Sequence, residues 1–276
     1  MHNTNHLSIF SVKLTHIVLR LYIPLVMSLL LCMLLLFTRE SRSNNVISQS
    51  HHTVIPYGTW LINNDQTIEL LNLGVDGSYL QIQFNLLHPQ ESFTEWGRVE
   101  ALDQGYRFNP SYTNNPQQGL IAYNAKNQQS ILVSLYQQQH HLIMAIDTNN
   151  DGVIEHYIEY QAYRSQTFYG LWQQSSADMN CLILLDNGYY GSIQISLSTD
   201  DLGIESHTGM EWGSFSADDR QFIMQPIFDN NLNQGFNHLT AISTPRVFYT
   251  YSKQQLALSF DHNGDNISDQ NTVFLR

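Results

Sequence analysis

"EWGRVEALDQGYRFNPSYTNNPQQGL", residues 95–120, returns without a gap as "EWGSFSADDRQFIMQPIFDNNLNQGF", residues 211–236. Ten of these 26 positions are identical, including Pro110/Pro226, Asn114/Asn230, Asn115/Asn231, Gln118/Gln234 and Gly119/Gly235. A duplication of this length sets the architecture before any other reading. Further matches lie upstream: "YGTW" (57–60) with "YGLW" (169–172), and "DGSY" (76–79) with "NGYY" (187–190). Downstream, "AIDTNNDGVIE" ends at Glu155 and "SFDHNGDNISD" at Asp269, and each half closes on an arginine, Arg164 and Arg276. The plan that follows is a lead segment 1–43, a linker 44–54, repeat one at 55–165 and repeat two at 166–276. A repeat of about 111 residues is the size of a complete small domain, so two tandem domains are expected.

Each repeat reads as strands nearly throughout. "TIELLNL" (67–73), "SYLQIQFNL" (78–86), "SILVSLY" (130–136), "HLIMAI" (141–146) and "VIEHYIEYQAY" (153–163) are rich in Ile, Leu, Val and Tyr. Several alternate apolar and polar residues with the period of a strand. Asp76-Gly77 and Asn187-Gly188 separate such runs and are strong hairpin signals, because both residues tolerate positive φ. No amphipathic helix is expected after residue 44. The fold class predicted is all-β: two tandem small antiparallel barrels of eight or nine strands, behind an N-terminal hydrophobic helix.

That N-terminal segment is "LYIPLVMSLLLCMLLLF", residues 21–37, flanked by Lys13 and Arg20 before and Arg39 and Arg42 after. It suits a signal peptide cleaved near Ser41–Ser43, or an uncleaved anchor in the inner membrane. Arginines on both sides leave its orientation open. Export to the periplasm or cell surface is expected either way. Leu31 before Cys32 is too bulky for a lipoprotein signal. From Asn44 onward eight basic residues face 23 acidic ones, a net charge of −15. Such a surface repels nucleic acid and anionic lipid, so contact with a membrane is expected only through the N-terminal segment. Cys181 is the one cysteine after that segment. No disulfide can form within the domains, and Cys181 in "NCLILL" reads as a buried, inert thiol.

The Gly-x-Trp of the first strand, the antiparallel meander and the late arginine resemble the lipocalin (calycin) pattern. The matching residues are Gly58, Trp60 and Arg164 in repeat one, and Gly170, Trp172 and Arg276 in repeat two. The resemblance implies an eight-stranded barrel with the Trp at its closed end and the Arg lying across the indole, a favourable cation–π arrangement. The wider order of motifs resembles exported bacterial repeats of lipocalin-like type.

"DTNNDGVIE" (147–155) resembles half of an EF-hand, but position 12 is Ile158, and in the second copy Thr272. An EF-hand needs a bidentate Glu there. The alternative is a calcium loop spanning a β-hairpin, similar to those of β-propeller blades. Its ligands would be Asp147, Asn149, Asp151, the Val153 carbonyl and Glu155. The second set would be Asp261, Asn263, Asp265, the Ile267 carbonyl and Asp269. The same residues also suit an ordinary turn, in which Asp and Asn side chains cap backbone amides.

Other groupings are weaker. Glu95 and Glu211 could act as a carboxylate pair on a sugar, or sit at strand ends beside packed Trp96 and Trp212. His140, His141 and His156 with Glu155 could hold a transition metal, or be exposed turn residues. The loop 197–206, with Asp200, Asp201 and Glu205, could contact a cation or be simply solvated. No nucleophile motif, phosphate loop or zinc signature is present in the sequence. The expected function is therefore non-enzymatic: an exported binding module for a small apolar ligand or for a surface glycan or protein, with calcium as cofactor. The alternative is an adhesive surface protein with calcium-rigidified modules. A hydrolase ranks behind both.

Overall fold

The computed structural model describes residues 55–103, 105–127, 131–164, 167–174, 179–195, 208–218, 220–230, 236, 246–261 and 265–276. The lead segment, the linker, the loop 197–206 and Asn263 lie outside the described residues. Among the described residues no helix is long and apolar enough to cross a membrane.

The first repeat forms a closed, eight-stranded antiparallel meander. Its strands are β1 (Gly58–Asn63), β2 (Thr67–Leu73), β3 (Ser78–Asn85), β4 (Phe93–Leu102), β5 (Gly105–Thr113), β6 (Leu132–Gln138), β7 (His141–Asp147) and β8 (His156–Ala162). The second repeat closes in the same order with β9 (Gly170–Gln174), β10 (Met179–Leu184), β11 (Tyr189–Ile195), β12 (Thr208–Ala217), β13 (Gln221–Asp229), β14 (Arg246–Tyr251), β15 (Gln255–Asp261) and β16 (Gln270–Leu275). The duplicated Asp-Gly and Asn-Gly pairs make the β2–β3 and β10–β11 hairpins, with Gly77 at φ 79 and Gly188 at φ 85.

Among the described residues one α-helix interrupts the expected run of strands. α1 (Gly119–Asn127) stands beside the unpaired half of β5. β5 and β6 share only the pairs Tyr106↔Val133 and Arg107↔Leu132, so the wall opens beyond them. α1 follows there, and the Asn124 side chain accepts from Ile131 N–H at 3.2 Å, just before β6. Over 119–126 of α1, Leu120 is the one fully buried residue, which is why no amphipathic stripe announces the helix.

The repeated residues hold matching parts of each barrel. Gly97 and Gly213 mark a bulge where β4 meets β5 and β12 meets β13. A Cβ would lie 2.2 Å from the Asn109 carbonyl at Gly97 and 2.1 Å from that of Gln225 at Gly213. Only glycine permits so close a backbone approach. Asn114 accepts from Thr94 N–H at 2.7 Å, and Asn230 from Met210 N–H at 2.9 Å. Each asparagine thus extends the ladder past the end of its strand.

Both interiors are filled by side chains, as an eight-stranded barrel allows. The first holds Trp60, Tyr79, Tyr106, Phe108, Met144 and Tyr160; the second holds Trp172, Tyr190, Phe215, Phe222, Phe260 and Phe274. A third core lies between the barrels. The outer faces of β2 and β3 give Ile68, Leu70, Leu80, Ile82 and Phe84, and β10–β12 give Cys181, Ile183, Ile193, Ile195, Met210 and Trp212. Phe84 stacks on Trp212 with centroids 5.3 Å apart, and the Trp212 indole N–H donates to Ser92 Oγ at 3.0 Å. Residues 52–276 form one compact unit.

Candidate functional site

The two calcium-loop candidates occupy the β7–β8 and β15–β16 hairpins. In the first, Asp147 ends β7 with 2 % of its surface exposed. Its Oδ2 accepts from Gly152 N–H at 2.8 Å and its Oδ1 from Asp151 N–H at 3.3 Å. Asp151 Oδ1 accepts from Val153 N–H at 2.8 Å, and Asn149 Oδ1 from Asp151 N–H at 3.0 Å. Glu155 Oε2 accepts from Thr148 N–H at 2.7 Å. Asn150 takes φ 57 and Gly152 φ 86, which curls the loop inward. Carboxylate oxygens of Asp147, Asp151 and Glu155 lie within 4.8 Å of one another, the one such group of three found among the described residues. Oxygen donors at that spacing suit a hard divalent cation, which takes six to eight oxygens. Those oxygens also serve loop N–H groups, so the hairpin closes by its own hydrogen bonds.

The second hairpin repeats the frame but not the convergence. Asp261, 1 % exposed, accepts from Asn266 N–H at 2.8 Å. Asp265 accepts from Ile267 N–H at 2.7 Å, and Asn266 has φ 66. Arg246 donates to the Asn266 side chain. Asp269 bonds by its N–H to the Phe260 carbonyl at 2.7 Å.

Glu95 and Glu211 face the interiors of different barrels, so they form no pair. Both are fully buried. The Tyr79 hydroxyl donates to Glu95 Oε1 and the Tyr190 hydroxyl to Glu211 Oε1, each at 2.7 Å. Glu95 Oε2 also accepts from Ile121 N–H at 2.8 Å, at the start of α1. A carboxylate there complements the exposed amides and the dipole of the helix. Burial still pushes the Glu95 carboxyl up to about 6, against the lowering pull of Tyr79 and the helix amides. Tyr79 and Tyr190 are raised in turn by burial first and then by their glutamates.

The histidines do not gather. His141 pairs with Gln161 at one end of the β7–β8 hairpin and His156 with Ile146 at the other. His141 Nδ1 lies 2.9 Å from Glu159, and His156 packs near the Tyr123 ring. Cys181 is buried between the barrels, and burial pushes its thiol up to about 12, which leaves it unreactive.

The Trp–Arg motif divides between the barrels. Arg276 lies 4.1 Å over the Trp172 ring and donates to the Thr167 and Tyr169 carbonyls. Arg164 falls two residues past the end of β8, on an exposed stretch. Register explains the difference. Ala162 N–H donates to the His140 carbonyl as Arg276 N–H donates to that of Gln254. The residue across from Trp60 is therefore Ala162, and the two arginines are not structural equivalents.

One polar cluster carries no sequence motif. Glu69 on β2 points into the first barrel and is 9 % exposed. The Tyr160 hydroxyl donates to its Oε1, and Gln81 Nε2 donates to the same oxygen at 2.8 Å. Burial raises the Glu69 carboxyl, opposed by Tyr160 and Gln81. The alternation of "TIELLNL" signals a strand but not which face Glu69 takes.

No family model and no curated protein matches the chain. Solved structures that align include a DNA polymerase sliding clamp from Pseudomonas aeruginosa, at 8% identity and TM-score 0.15, over 82% of this chain and 58% of that one. Another is a DnaN sliding clamp from Bartonella birtlesii bound to griselimycin, at 9% identity and TM-score 0.14, over 86% and 82%. The chain thus spans less than two thirds of the Pseudomonas clamp. Likeness at these TM-scores carries no argument about fold or function.

Proposed function

We propose that this chain is an exported, non-enzymatic binding module of two lipocalin-like barrels, stiffened by calcium at the β7–β8 hairpin. The convergence of Asp147, Asp151 and Glu155 within 4.8 Å carries the calcium reading. The Arg276–Trp172 stack supports a lipocalin-like closed end in the second barrel. Interiors packed with aromatic side chains leave the outer surface as the place to meet a glycan or protein, in preference to an apolar ligand held inside a barrel. Calcium here braces the scaffold, and the ion takes no part in chemistry.

Extracellular calcium modules bind with Kd of roughly 10⁻⁴ to 10⁻³ M. At about 10 mM calcium and a Kd of about 1 mM, linkage gives about 1.4 kcal/mol of added stability. The expected outcome is a thermal midpoint a few degrees higher in calcium than in chelator. Glu155→Gln together with Asp151→Asn keeps the shape of the loop and abolishes the shift. An equal midpoint in calcium and chelator for the parent chain overturns the calcium reading. A thermal midpoint equally raised in the double variant places the ion elsewhere.

A further inference from the structure

The seam that closes the first barrel is zipped at one end only. β1 and β8 pair at Trp60↔Ala162 and Leu61↔Gln161. At the zipped end Tyr163 N–H also donates to the Thr59 carbonyl at 2.8 Å. The same register would set Ile62 opposite Tyr160 and Asn63 opposite Glu159, but among the described residues those pairs do not form. The bonds that do form fix the backbone directions. Successive residues of an antiparallel strand turn their N–H and C=O groups to opposite neighbours. Tyr163 donates across the seam, while Ala162 donates away from it, to the His140 carbonyl. At alternate positions Gln161 and Glu159 therefore face β1. Thr59 accepts across the seam, so Leu61 and Asn63 face β8. The backbone groups of Asn63 and Glu159 point toward each other without pairing.

An open depression of about 410 Å³ lies at this splayed end, lined in part by Asn63, Glu159, Gln161 and Ala162. Asp186, in the turn between β10 and β11 of the second barrel, also lines it. Asn63, Glu159, Gln161 and Asp186 are exposed, so the depression opens on the outer surface, beside the second barrel. Its volume is within the usual range of binding sites.

An unpaired strand edge is a template for another extended chain, and adding a strand to such an edge is a recurring mode of peptide recognition. Charge selects the occupant. Glu159 and Asp186 both line the depression, and the chain from Asn44 onward carries a net charge of −15. A second copy of so acidic a chain is repelled from this edge, and a basic peptide is drawn to it. Of the nearby cations, His141 lies 2.9 Å from Glu159, and Arg276 is held over Trp172. Glu159 still has 65% of its side-chain surface exposed, so it can meet a further cation.

We propose that the splayed end of the β1–β8 seam receives a basic peptide in extended form, which adds to the free edge of β8 through the Glu159 backbone and sets its lysine or arginine side chains against the Glu159 and Asp186 carboxylates. This site presupposes a non-enzymatic binding module, and it narrows the outer-surface partner of that module to a protein segment. It is independent of the calcium hairpin.

The test is fluorescence anisotropy of a labelled Lys-Val-Lys-Val-Lys peptide titrated with the full chain, with chelator present so that the hairpin plays no part. One saturable site per chain is expected, weakened as salt rises. A Glu-Val-Glu-Val-Glu peptide controls for charge. The lysine peptide with every backbone nitrogen methylated keeps its charge and side chains but loses its N–H donors, and so controls for strand pairing. Neither control should saturate. Glu159→Gln and Asp186→Asn keep the shape of exposed side chains, so both variants should fold, and each should weaken binding several-fold. Hydrogen exchange followed by NMR should slow at the Glu159 amide when the peptide binds, and stay unchanged at Tyr160, whose N–H faces β7. No saturable binding of the lysine peptide overturns the proposal without touching the calcium-dependent melt that tests the module itself. Binding that neither variant weakens means that the chain binds a partner elsewhere, and overturns the seam alone. Equal binding of the methylated peptide reduces the contact to charge and overturns strand addition, as does an unchanged Glu159 amide. Self-association of the parent chain that Glu159→Gln strengthens and the peptide cannot displace would assign the edge to a second copy and overturn the proposal as well.

Discussion

Glu95 shows how one buried residue couples the barrel to pH. Its ordinary value of 4.5 rises to about 6 because burial outweighs the donors around it. A carboxyl with a raised folded-state value holds its proton more tightly when folded. That contribution to stability is complete below pH 4.5, fades as pH rises through 6 and is absent above. The shift corresponds to about 2 kcal/mol. Glu95→Gln cannot titrate, while Glu69 and Glu211 remain in both proteins. The stability of the parent chain relative to Glu95→Gln should therefore fall by about 2 kcal/mol between pH 4.5 and 7. Urea unfolding across that range measures the difference, and a constant offset would mean that Glu95 does not titrate there. Little of this was legible in the sequence. "EWG" recurs and so marks an important residue, but the Tyr79 partner, 16 positions away, emerges only when β3 lies beside β4. Glu69 has no repeated partner to draw notice, and its burial depends on which face of β2 turns inward.

Strands and hairpins were the most legible elements, because alternation and Asp-Gly turns are local signals. Their ends were less so. "VIEHYIEYQAY" reads as a strand from Val153, but β8 begins at His156, since Val153 to Glu155 belong to the turn bonded around Asp147 and Asp151. Helix α1 was missed because a helix that buries one residue has no periodic face. Its start requires Gly119, which has φ 71 and would place a Cβ 2.9 Å from Glu95 Oε2. The register at the closing strands gives a sharper lesson. Sequence pairs Arg164 with Arg276, both near the end of a repeat, yet β8 ends two residues before Arg164. An exposed cation–π contact contributes about 0.5–1 kcal/mol. Arg276→Ala should lower stability by about that much, with some addition for its lost bonds to the Thr167 and Tyr169 carbonyls. Arg164→Ala should change it by less than about 0.5 kcal/mol. Chemical denaturation of the two variants decides the matter, and equal losses would contradict the register assigned to β8 and β16.

At the scale of the whole molecule, the sequence predicts two barrels but hides what joins them. In "SYLQIQFN" alternation alone would put Leu80, Ile82 and Phe84 inside the barrel and Gln81 outside. The observed faces are reversed. Tyr79 and Gln81 turn inward, and Leu80, Ile82 and Phe84 meet the second barrel. An apolar face needs only to be buried, and another barrel satisfies it as well as its own core does. β2 and β3 therefore link two interiors and one interface, and the barrels should unfold together. Phe84 is the place to test this. It is 2 % exposed, stacks on Trp212, and covers Gly191, where a Cβ would come within 2.5 Å of its ring. Phe84→Ala should cost about 3–5 kcal/mol, the usual loss for a buried Phe. Calorimetry should still show one transition, shifted down as a whole. Hydrogen exchange should quicken in β10–β12 as well as in β2 and β3, although the substitution lies in the first barrel. If exchange quickens in the first barrel alone, or the transition splits in two, the interface is a contact between independently stable barrels, because shared burial would force both to lose protection together.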